Sequence, residues 1–74
     1  MDKAVYKAIQ KAYRNEIMPY SIYIGCICNR ILISVIEGTY TGFDYDRVAT
    51  AYAQDRINAI TKYYSRLLNK LREV

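Results

Sequence analysis

Histidine is absent from this 74-residue chain, and with it goes the side chain that most often moves protons near neutral pH. Cys28 therefore has no imidazole to activate it, and the carboxylates fall at capping or exposed helical positions. No catalytic site is expected, and the chain reads as non-enzymatic. Cysteine is limited to Cys26 and Cys28. One residue apart, their side chains diverge too far to bridge each other, and two thiols without histidine fall short of a zinc site within one chain. They are read as small apolar residues in a reducing, cytoplasmic setting or inside a virion.

Glycine is equally sparse, and the three present are scattered, so there is no phosphate-binding loop and no cofactor is expected. Proline occurs once, at Pro19. The opening Met1-Asp2-Lys3 leads into alternating charge and apolar residues, unlike the unbroken apolar run of a secretory signal. The nearest approach to a membrane span is IMPYSIYIGCICNRILISVI, residues 17–36. Asn29 and Arg30 lie just past its midpoint, and a central arginine costs about 2.5–3.5 kcal/mol on insertion. A spanning role is not expected.

What the chain does have is apolar residues, 53% of the total, more than a small monomer readily buries. Self-association or a partner is the first expectation. The formal charge is +4, and its layout matters more than its size. Glu37, Asp44, Asp46 and Asp55 gather in the middle, while Lys3, Lys7, Lys11 and Arg14 open the chain and Lys62, Arg66, Lys70 and Arg72 close it.

The opening segment has the local marks of a helix over residues 2–18. Asp2 suits its start, Ala4, Ala8 and Ala12 are strong helix formers, and Tyr6, Ile9, Tyr13, Ile17 and Tyr20 recur at spacings of three and four. Pro19 is expected to kink or break this arm. Residues 20–37 are apolar nearly all round. Their isoleucines also suit a pair of strands, but strict alternation fails and no Asn-Gly or Asp-Gly turn appears, so a helix is favoured. A helix apolar on most sides must lie between others.

A loop is predicted over 38–43, with Gly38 just past a helix end, Gly42 in a turn and Thr41 or Asp44 capping the next helix. From 44 to 73 the pattern is at its clearest: Ala53, Ile57, Ile60, Tyr64, Leu67, Leu71 and Val74 alternate by four and three, a coiled-coil-like seam. No turn residue interrupts it, which argues against a helix-turn-helix. The expected fold is all-α and a single domain over 1–74. Two long antiparallel arms form a helical hairpin, which oligomerises.

Such a hairpin brings the termini together. Lys3, Lys7, Lys11, Arg14, Lys62, Arg66 and Lys70 then form paired basic stripes, which are either the wet side of two amphipathic helices or contacts to a phosphate backbone. Tyr6, Tyr13, Tyr20 and Tyr64 are assigned to seam packing rather than base stacking. Tyr40, Phe43 and Tyr45 form an aromatic cluster suited to a contact surface or to plugging the hairpin. Arg30 is expected to pair with Glu37 or Asp44, or else to hold a ligand carboxylate or phosphate. The leading functional expectation is a small oligomeric assembly protein, a nucleic-acid-binding accessory or a viral or phage structural protein. The alternative is an adaptor or inhibitor that docks on a larger protein through its apolar helix or aromatic loop.

Overall fold

The computed structural model describes residues 2–41 and 43–73, the side chains of Phe43 and Asp44 excepted. The turn expected at Gly42, the cap at Asp44, the contact through Phe43 and the last seam position, Val74, lie outside these described residues. Two helices account for nearly all of the rest: α1, Lys3–Glu37, and α2, Phe43–Arg72. They pack against each other along their length as an antiparallel hairpin, and no strand occurs among the described residues.

Both ends of α1 are set by local chemistry. Asp2 has extended backbone angles, and its Oδ1 accepts a hydrogen bond from the Ala4 amide at 2.9 Å. One of the orphan donors of the first turn is thereby satisfied. At the other end Gly38 adopts φ 72°, its amide donates to the Val35 carbonyl at 3.1 Å, and the Thr39 amide donates to Ser34 at 2.9 Å. This paired closure requires a left-handed residue, and glycine takes that conformation without a Cβ clash.

The break expected at Pro19 is absent: α1 is helical without interruption across it. Proline removes the amide that would bond the Asn15 carbonyl. Pro19 and Asn15 are both exposed, however, which leaves that carbonyl open to water. The inward seam meanwhile continues in step through Ile17, Tyr20, Ile24, Ile27, Ile31 and Ser34, each buried or half-buried. Packing along both halves of the helix outweighs the local defect. Residues 20–36 are accordingly helix and not a strand pair.

On α2, Ala53 is fully buried and Ile57, Ile60, Tyr64, Leu67 and Leu71 are half-buried. The seam read from the sequence is the side that meets α1. The result is a rod 56 Å long and 12 Å in its thinnest dimension, which is the diameter of one helix with its side chains. Two helices laid side by side enclose very little. Among the described residues only Ile27 and Ala53 are buried apolar residues, and no large side chain is fully buried.

Candidate functional site: the basic end and the cross-helix contacts

The register of the hairpin determines which charges meet. Tyr13 on α1 and Thr61 on α2 share a hydrogen bond of 2.6 Å between their hydroxyls. Tyr20 bonds Arg56, and Arg30 pairs with Asp46. As the α1 number rises the α2 number falls by nearly the same step, so the pairing is antiparallel and keeps one register throughout. Extended to the open end, it sets Lys3, Lys7, Lys11 and Arg14 beside the last turns of α2, which carry Lys62, Arg66, Lys70 and Arg72.

All eight of these side chains are exposed, as phosphate contacts require. They are eight of the chain's eleven lysines and arginines, and Asp2, Glu16 and Glu73 are the carboxylates on the same stretches of chain. The antiparallel pairing thus places both stripes at the same end of the rod. The acidic character expected at the opposite tip is weaker than the sequence suggests, because Asp46 is only 3% exposed and neutralised by Arg30.

Between the basic stripes lies an aromatic node. The Tyr13 and Tyr64 rings are 5.4 Å apart and tilted by 59°, and Tyr63 meets Tyr64 edge to face at 5.1 Å. The Tyr64 hydroxyl bonds the Glu16 carboxylate, and that bond, reinforced by burial and by the charge of Glu16, pushes the phenol up to about 12. Hydrogen bonding to Tyr20 likewise raises the Arg56 guanidinium. Half-buried Tyr6, Tyr13, Tyr20 and Tyr64 line the helix contact, while Tyr63 is exposed at the basic end.

Arg30 finds a carboxylate two residues beyond the later of the two expected: Asp46, neither Glu37 nor Asp44. The guanidinium itself remains largely exposed while its partner is buried, so the arginine serves as the counter-charge that allows a carboxylate to sit between the helices. Near the tip Tyr40 is half-buried and Tyr45 exposed. Cys26 and Cys28 are free, exposed thiols. Among the described residues no cluster of acidic or cysteine side chains has the makings of a metal site.

The least legible feature of the sequence was the outer side of α1. Met18, Ile22, Leu32, Ile33 and Ile36 are all exposed there, Ile36 by 74%. The helix is also long and apolar enough, by length and composition, to cross a membrane. The signal was present as a second set of three-and-four spacings, masked by the first set on the opposite side. Comparison with known proteins gives no further guide: no family model, no curated protein and no solved structure matches the chain.

Proposed function

We propose that this chain is a non-enzymatic, oligomeric assembly protein that binds nucleic acid through its open end, as an accessory or structural component of a nucleoprotein complex. The observation that supports the reading is the antiparallel pairing, which brings the basic stretches of the two helices, each spaced close to one turn, to the same end of the rod. Lys3, Lys7, Lys11 and Arg14 from α1 and Lys62, Arg66 and Lys70 from α2 are the phosphate contacts. Exposed Tyr63 offers a face for stacking beside them. Contacts of this kind bind by neutralising phosphates and releasing counterions, with little preference for sequence. Exposed free thiols suit a reducing interior or the inside of a particle.

The test is the mass of the protein by light scattering at low and high salt, with and without a generic duplex DNA or RNA. A discrete species that joins the nucleic acid at low salt and leaves it at high salt is the expected result. Reversing Lys7, Lys11 and Lys62 to glutamate should abolish binding, and neutralising them to glutamine should lower the slope of log affinity against log salt by about one per contact removed. A species indifferent to nucleic acid at low salt would overturn the proposal and direct attention to a protein partner.

A further inference from the structure

The surface of the described chain is too large for its mass. A compact monomer of 8.7 kDa exposes about 4,700 Å² by the usual scaling, whereas this hairpin exposes 5896 Å². The excess of roughly 1,200 Å² exceeds the ~800 Å² that each partner commonly buries in a stable complex. Exposed apolar residues occur on both helices, and on α1 they are most regularly spaced. On the side of α1 turned away from α2, Met18, Ile22, Gly25, Asn29, Leu32 and Ile36 follow one another at steps of four and three, a second coiled-coil seam back to back with the first. All six are exposed.

We infer that this outer seam packs against the same seam of a second copy, antiparallel, so that two α1 helices form the centre of a dimer and the two α2 helices its outer sides. The inference takes from the proposed function only that the working unit is an oligomer, and assumes nothing about nucleic acid.

Three observations select this occupant and this orientation. First, a bilayer suits α1 but not its companion. Beside residues 17–36 runs the part of α2 that carries Asp46, Arg47, Asp55 and Arg56, and inserting the hairpin would take these groups into hydrocarbon at about 2.5–3.5 kcal/mol for each unpaired charge. A second copy covers α1 and leaves the polar side of α2 in water. Second, the seam is symmetric about its middle. Reversed upon itself, it sets Met18 opposite Ile36, Ile22 opposite Leu32, and Gly25 opposite Asn29. A Cβ added at Gly25 would meet nothing within 4 Å in the single chain, so the glycine leaves a notch into which the partner's Asn29 fits. A parallel pairing would oppose glycine to glycine and leave a void. Third, a parallel dimer would bring two strongly basic ends together, whereas the antiparallel one holds them roughly 55 Å apart at 1.5 Å per residue.

Sedimentation equilibrium without nucleic acid should give twice the 8.7 kDa chain mass. Ile22→Glu combined with Ile33→Glu should halve that mass, and the Lys7, Lys11 and Lys62 charge-reversal variant should leave it at two chains. Failure of nucleic-acid binding and failure of dimerisation are thus read separately. Because a hairpin with so little core can unfold when its partner is lost, orientation is read in protein that remains paired. With Cys26→Ala and Cys28→Ala as background, Ile22→Cys and Leu32→Cys chains mixed and oxidised should yield the mixed disulfide in large excess over either homodimer. Homodimeric links at Ile22→Cys would overturn the orientation. A single-chain mass at all concentrations, or association only with phosphatidylcholine vesicles, would overturn the assignment of the surface.

Discussion

The two helices have similar lengths and opposite economies of surface. α2 is the more amphipathic: one side meets α1, and the rest carries Asp55, Asn58, Lys62, Arg66 and Asn69, although Tyr45, Val48, Tyr52 and Tyr63 are exposed as well. α1 is amphipathic only at its start. Beyond Met18 it is apolar toward α2 and apolar away from it. A helix with one apolar stripe is content at the surface of a two-layer structure, and a helix with two requires a neighbour on each side. The contrast marks the outer side of α1 as the surface that the inferred dimer would cover.

Opposite sides of α1 should therefore respond differently to the same chemical insult. Ile27 is 5% exposed against α2, and Ile27→Asp places a carboxylate within that contact. The cost is several kcal/mol, comparable to the whole stability of about 3–5 kcal/mol that a core of this size supplies. Far-UV circular dichroism should show loss of helix at every protein concentration. Retained helicity in Ile27→Asp would break the comparison.

A smaller effect probes the ion pair between Arg30 and Asp46. Arg30 lies on α1 and is largely exposed, whereas Asp46 on α2 is buried. Arg30→Ala strands a buried carboxylate and should cost about 1–3 kcal/mol. The double variant Arg30→Ala with Asp46→Ala should recover part of that loss in urea denaturation, since both charges are then gone. Equal cost for single and double variants would mean that Arg30 acts through packing alone.

The smallest effect is electrostatic. The Tyr64 phenol on α2 is held up to about 12, from an ordinary value of 10.0, chiefly by its bond to Glu16 on α1. A raised value means that the folded state favours the protonated phenol. The stabilisation is complete below pH 10 and disappears as pH rises from 10 toward 12. In an ultraviolet titration one tyrosine should ionise late, and Tyr64→Phe should remove that late step. Glu16→Gln should bring it back toward the ordinary value.

The legibility of the sequence follows the same division. The α2 seam was readable because polar residues fill the gaps between its apolar positions, so a spacing of three and four stands out. Gly38 was equally plain, because a glycine after an apolar helical run has few other uses. The second half of α1 resisted reading because two seams are superimposed there and together imitate an all-round apolar segment. Pro19 then invited a division that the packing on both of its sides overrides. The partner of Arg30 was missed by two residues, since it is set by the register between distant segments and leaves no local mark. The basic cluster was legible as soon as an antiparallel hairpin was assumed.

The constant register from the Tyr13–Thr61 bond to the Arg30–Asp46 pair has a consequence for how such a rod changes length. Removing one residue from either arm rotates everything beyond it by about 100°, which parts the cross-bonded pairs and turns the seam toward water. Only a step of seven, made in both arms at matching levels, keeps every contact in phase. The hairpin is therefore a ruler graduated in units of about 10.5 Å, and shortened variants should keep its contacts only at whole graduations.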